Sequence, residues 1–113
     1  MPSNAERKIH FEDDIDIIKA SYDGNTELVK RIVNSGVDVN TTEYGTGFTP
    51  LHISCGRNHV ELFSYLMSVP QINLVAQDRW GRTPAMIAHE NGDASGFVAS
   101  IERRILDQDA PRP

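Results

Sequence analysis

The chain has a single cysteine, Cys55, among its 113 residues. No disulfide can form within it, and its thiol content gives no reason to expect an oxidising compartment. No apolar run approaches the ~20 residues that cross a bilayer, and the opening residues lack the apolar centre of a secretory signal. Aromatic residues make up only 7%, and basic ones are outnumbered: 11 Lys and Arg against 16 Asp and Glu leave a net charge of −5. That deficit works against nonspecific nucleic-acid binding, which depends on neutralising many phosphates. The expectation is therefore a chain with no membrane or nucleic-acid partner, in the cytoplasm, or in the nucleus of a eukaryote. Hydrophobic residues still form 39% of it, enough for one folded domain.

What is present is a phrase used twice. Gly47-Phe48-Thr49-Pro50-Leu51-His52 is echoed by Gly81-Arg82-Thr83-Pro84-Ala85-Met86, and Thr49 and Thr83 mark a period of 34 residues. Each copy reads as turn, cap, helix. Gly81 tolerates the positive φ of a tight turn. Thr83 offers a hydroxyl to an otherwise unpaired helix N–H. Pro84 takes the first helical position, where its missing N–H is no loss.

The same period exposes a third, degraded copy. Ala20, Ser54 and Ala88 fall in register, all small, as a close helix–helix contact requires. Gly24, Asn58 and Gly92 follow four positions later, each suited to ending a first helix in the left-handed conformation. Leu28/Val29 with Ile32/Val33, and Leu62/Phe63 with Leu66/Met67, then give one apolar stripe to a second helix. Asp13-Asp14 precede Ile15-Asp16-Ile17-Ile18 as candidate caps where Thr-Pro would stand. In the last unit, Gly96 and Ser100 interrupt the stripe. The final helix is expected to turn Phe97, Ile101 and Ile105 inward and Glu102, Arg103 and Arg104 outward.

With Thr-Pro-Leu-His at 49–52 and the Asn turns Gly36-Val37-Asp38-Val39-Asn40 and Ile72-Asn73, the chain resembles the ankyrin-repeat family over residues 13–107. The resemblance implies an all-α solenoid of stacked helix-turn-helix units with short β-hairpin or turn fingers. Its units would cover about 12–39, 40–72 and 73–108, between tails at 1–11 and 109–113. Atypical first and last units fit repeats that face water on one side.

The resemblance further implies a protein partner bound on the concave, finger-bearing side, with the chain acting as adaptor, inhibitor or docked subunit, itself monomeric when free. No cofactor is implied. Mapped onto this sequence, one finger presents Tyr44, Gly45, Thr46 and Phe48, and the next Arg79, Trp80 and Arg82. Tyr22, Asp23, Arg57, Glu90 and Asn91 line the groove beside them. Trp, Tyr and Arg dominate interface energies, so Trp80 and its arginines are the expected anchors, over a contact of roughly 600–800 Å² per side. The competing reading lays Trp80 and Phe48 flat across neighbouring turns as a cover for the core, with the arginines idle surface charges. Acids crowd the first unit (Glu12, Asp13, Asp14, Asp16 and Asp23), which suits a partner basic there and acidic opposite the fingers.

Two other classes compete with this reading. In one, an exposed repeat end serves self-assembly, making the chain a structural subunit. More remotely, His52, Cys55 and His59 would share one face of an unbroken helix, as zinc ligands or a Cys–His pair. Asn58 is expected to break that helix, and Cys55 to be a buried, inert thiol. Gly92-Asp93-Ala94-Ser95-Gly96 lacks the Lys of a phosphate loop and reads as a turn. Asp13, Asp14 and Asp16 lack the spacing of a calcium loop and read as helix-start acids. His10 and His89 read as surface or cap residues.

Overall fold

The computed structural model describes residues 11–109, with side-chain surroundings for 16–108. Of the expected tails at 1–11 and 109–113, residues 1–10 and 110–113 lie outside those limits, His10 among them, while Phe11 and Asp109 are helical. Asp13 and Asp14 fall inside the first helix, which already includes Phe11, so they do not cap its start; their side chains, on which the cation-site reading depends, lie outside the described surroundings. Six helices follow in order: α1 (Phe11–Tyr22), α2 (Thr26–Asn34), α3 (Pro50–Arg57), α4 (Val60–Ser68), α5 (Pro84–Glu90) and α6 (Phe97–Asp109). They form three antiparallel pairs. The first helices, α1, α3 and α5, pack side by side, and each carries its second helix against it.

Local chemistry sets the helix boundaries. Thr49 caps α3 by accepting from the His52 N–H, Pro50 fills the first turn, and Asn58 ends the helix at φ 58° in the left-handed region. Thr83 and Pro84 repeat that start on α5, with Thr83 accepting from the Met86 N–H. Asn25 caps α2 through the Leu28 N–H. The start of α6 is held from further back, because Asp93, itself at φ 47°, accepts from the Phe97 N–H at 2.7 Å.

The apolar seam runs through all three pairs. Ile17, Val29, Leu51, Leu62, Leu66 and Ile101 are essentially sealed from solvent, and each such burial contributes about 1.5–3 kcal/mol. Ala20, Ser54 and Ala88 are buried where the first helices meet. Phe63 stacks on Phe97 with ring centroids 4.0 Å apart, joining the second and third pairs.

Polar bonds about one period long tie the pairs together beside this seam. His59 Nε2 meets the Tyr22 carbonyl at 2.9 Å, and a Cβ on Gly24 would collide with the His59 ring at 2.7 Å. Asn40 exchanges bonds with the Gln71 carbonyl and the Asn73 N–H. Asn91 Nδ2 donates to the Gly56 carbonyl at 3.0 Å, and Ser95 Oγ to Asn58 Oδ1 at 2.7 Å.

The last helix departs from expectation in two respects. Phe97 and Ile101 are buried, and Glu102 and Arg103 exposed. Arg104, however, does not face outward: it is half-buried and donates to the carbonyls of Met67 and Val69, satisfying acceptors left open at the end of α4. The outer surface of the third pair is also less polar than expected, with Met86 50% and Leu106 69% exposed.

Candidate functional site

Between the pairs, the chain rises into two fingers, each bridged by a hairpin-like backbone bond: Glu43 N–H to the Phe48 carbonyl, and Asp78 N–H to the Arg82 carbonyl. No strand forms among the described residues. The fingers lean on one another. Arg79 N–H donates to the Thr46 carbonyl at 2.8 Å. Gly47 lies so close beneath that a Cβ would sit 3.1 Å from the Arg79 nitrogen, and its φ of +74° is one that side chains resist.

A single carboxylate organises each finger. In the first, Glu43 accepts from Tyr22 Oη at 2.8 Å and from Thr46 Oγ1 at 2.6 Å. Burial and that neighbouring carboxylate push the Tyr22 phenol up to about 12. In the second, Asp78 accepts from the N–H groups of Trp80 and Arg82 and from Arg82 Nε, all within 3.0 Å. Burial alone would raise the Asp78 pKa, but these donors and the guanidinium charge together hold it below the ordinary carboxylate range.

His52 joins the second finger to α3. Its Nε2 lies 2.8 Å from the Arg82 carbonyl. A carbonyl only accepts, so Nε2 carries the proton and Nδ1 is left to accept from the Thr49 N–H at 3.2 Å. Burial lowers the pKa of this imidazole.

The residues expected at the interface separate into two groups. Tyr44 is fully exposed and Trp80 59% exposed, while Arg57 and Arg79 also stand in solvent. The Trp80 ring lies 5.2 Å from the Arg82 guanidinium carbon and 5.9 Å from that of Arg79. Phe48, by contrast, is half-buried against the core and stacked 5.9 Å from His52. It takes the covering role that was the alternative for both aromatics; Trp80 does not. Arg82 is bound to Asp78 and Glu90, each at 3.0 Å, and Asn91 to Gly56. Arg82, Glu90 and Asn91, three of the expected contacts, thus already have partners within the fold.

Below the fingers, a cleft of about 200 Å³ opens between the first helices, floored by Ile53, Gly56 and Ile87 and walled by Tyr22, Phe48 and Arg57.

The family model of ankyrin repeats, in three copies, matches residues 17–100. The chain belongs to the ankyrin-repeat family. Such repeats are generally protein–protein interaction modules. The chain is 36% identical over 74 residues to alpha-latrotoxin-Lg1a of Latrodectus geometricus, covering 66% of this chain and 5% of the toxin. It is 46% identical over 44 residues to the ankyrin repeat domain-containing protein 40 of Mus musculus, 39% of this chain and 12% of that protein. With the putative glutaminase 2 of Caenorhabditis elegans it shares 29% identity over 99 residues, 88% of this chain and 15% of the relative. The chain thus spans only a small fraction of the length of these proteins.

The residues of the zinc or Cys–His reading are engaged separately within this ankyrin stack. His52 bonds across the finger and His59 to the Tyr22 carbonyl on the other side of α3. Cys55 is 2% exposed, and burial foremost pushes its thiol up to about 12, far from a reactive thiolate. Among the described residues, no group of three His, Cys, Asp or Glu is placed to hold a metal. Sequence reasoning missed Asp78, the organiser of the second finger. The available signal was an acid opening Asp78-Arg79-Trp80-Gly81, which fits a side chain that bonds its own turn two residues on.

Proposed function

We propose that this ankyrin stack docks a partner protein along its two fingers and the inner-helix groove, with Tyr44, Arg57, Arg79 and Trp80 as its contacts. The observation that carries this reading is the setting of Trp80. A large aromatic stands 59% exposed on a turn held by three bonds to Asp78, beside two guanidinium groups. A rigid, amphipathic anchor of that kind supplies contact area at small entropic cost. The proposed setting is the cytoplasm, or the nucleus of a eukaryote.

The test is calorimetric titration of the partner recovered from the native cell against the parent and a Trp80→Ala, Arg79→Ala double variant. Arg79 is chosen over Arg82 because Arg82 is built into the finger. A loss of about a hundredfold is expected. Unchanged affinity with an intact fold eliminates the finger site.

A second reading rests on the outer face of the third pair, where Met86 and Leu106 are exposed beside half-buried Val98. That face would take a second copy of the chain. Light scattering across a concentration series decides it: a mass that rises for the parent and not for Met86→Lys supports self-assembly, and a constant monomer mass removes it.

A further inference from the structure

The groove's cations are unequally satisfied. Arg82 has two carboxylate partners, whereas no carboxylate lies within ion-pair distance of Arg57 or Arg79 among the described residues. Arg57 closes α3, where a cation is favoured by the helix dipole. Its guanidinium is nonetheless drawn over the Tyr22 ring, 5.1 Å from the centroid, at the mouth of the cleft. Arg79 is placed similarly over Trp80 at 5.9 Å, with one long bond of 3.4 Å to the Gly45 carbonyl. Two planar cations lying over aromatic faces keep most of their donors for an incoming acceptor, and their orientation is partly fixed before it arrives.

The cleft beside Arg57 sets a second requirement. Its floor of Ile53 and Ile87 is apolar, and its volume of about 200 Å³ suits one leucine- or phenylalanine-sized side chain. Gly56 adds no side chain to that lining, and a Cβ there would sit in ordinary contact with Ile87 at 3.4 Å. The exposed acids Asp16 and Asp23 belong to the first pair and its turn, whereas Arg57 and Arg79 belong to the second and third units.

We propose that this cleft receives an acidic peptide segment of the partner, inserting one apolar side chain between Tyr22, Phe48 and Ile87 while flanking carboxylates engage Arg57 and Arg79. This rests on the docking reading above and adds the partner's chemistry to it. Carboxylates pair with arginine through two parallel N–H bonds, and the apolar insertion sets the register.

The test uses three pools of short, end-capped peptides, randomised around a fixed leucine or phenylalanine preceded by two glutamates, two glutamines or two lysines. Each is titrated into the whole chain, with NMR shifts read at the Ile53 and Ile87 methyls and at Arg57 Nε. The glutamate pool is expected to move these signals saturably, with the glutamine pool roughly tenfold weaker and the lysine pool weaker still. Arg57→Gln, at an exposed position, should bring the glutamate pool down to the strength of the glutamine pool. A lysine pool binding the same cleft at least as well, or an Arg57→Gln variant that keeps the glutamate preference, overturns the acidic commitment and leaves groove docking standing. Silence of cleft and finger signals with all three pools overturns both.

Discussion

In the first finger the holding carboxylate, Glu43, belongs to the finger but takes a donor from another pair, the Tyr22 hydroxyl at the end of α1. In the second, Asp78 draws every bond from its own turn. The tips differ accordingly: Tyr44 stands clear of all neighbours, fully exposed, while Trp80 is flanked by two arginines and lies 6.1 Å from Phe48. A finger closed on itself can present a large side chain in one fixed pose. A finger tied backward couples the first pair to the second and leaves its tip loose. One tip is therefore braced by neighbouring side chains and the other stands without them.

The sharpest way to break that comparison is to remove each carboxylate in turn. Asp78→Ala strands two backbone N–H groups and a guanidinium, and is expected to cost about 3 kcal/mol, in the range for a buried charged pair that loses one member. Glu43→Ala, half-exposed and with water able to replace it, is expected to cost about 1 kcal/mol. Urea denaturation of the two variants measures both. Equal losses would mean that the fingers are held in the same way.

The next largest effect separates the middle pair from the third. His52 occupies the position that Met86 takes one period later, and only His52 reaches a following finger. His52→Met takes from the Arg82 carbonyl one of its two donors, leaving only the Asp78 N–H, and strands the Thr49 N–H, with an expected cost of about 2 kcal/mol. It also changes the pH response. The folded pKa of His52 lies below its ordinary 6.5, so below pH 6.5 the unfolded chain binds more protons at this site. Its stabilising contribution is complete above 6.5 and is lost as pH falls through the folded value. Denaturation midpoints of the parent should fall over that window by more than those of His52→Met; parallel curves would contradict the buried, neutral imidazole.

These sites also show what a sequence can and cannot display. The Thr-Pro starts, Asn58 and the small trio Ala20, Ser54 and Ala88 were readable because each answers a backbone demand or a close approach that few residue types meet. The pairing of Arg82 with Glu90, the capping of α4 by Arg104 and the dependence of Glu43 on Tyr22 were not. Each joins a side chain to a group well removed in sequence, in a direction that only the packed fold defines. Exposure of Trp80 and partial burial of Phe48 were undecided for the same reason: two aromatics on neighbouring turns look alike until one of them has stacked on His52.

Contact between the fingers is sharpened by Gly47→Ala. The added methyl would force φ away from +74° and press on the Arg79 nitrogen. An expected loss of about 1 kcal/mol follows from the left-handed conformation alone, with broadening of the Trp80 indole signal as the second finger loses its support. A sharp indole line at lowered stability would mean that Asp78 suffices to fix that finger.

The smallest effect on stability is expected where the largest effect on binding is proposed. Arg79 is exposed, has no carboxylate partner among the described residues, and makes one long side-chain bond. Arg79→Ala should leave the denaturation midpoint within about 0.5 kcal/mol of the parent, as for surface changes that break nothing buried. Arg82→Ala, two positions from the tip of the same turn, removes donors from both Asp78 and Glu90 and should cost about 2 kcal/mol. Two arginines flanking one tryptophan would then differ in what they serve, one holding the finger's shape and the other meeting what the finger touches. Denaturation and partner titration on both single variants make the separation visible. If Arg79→Ala destabilises the fold as much as Arg82→Ala, the exposed cation is part of the scaffold and the proposed contact surface contracts to Trp80, Tyr44 and Arg57.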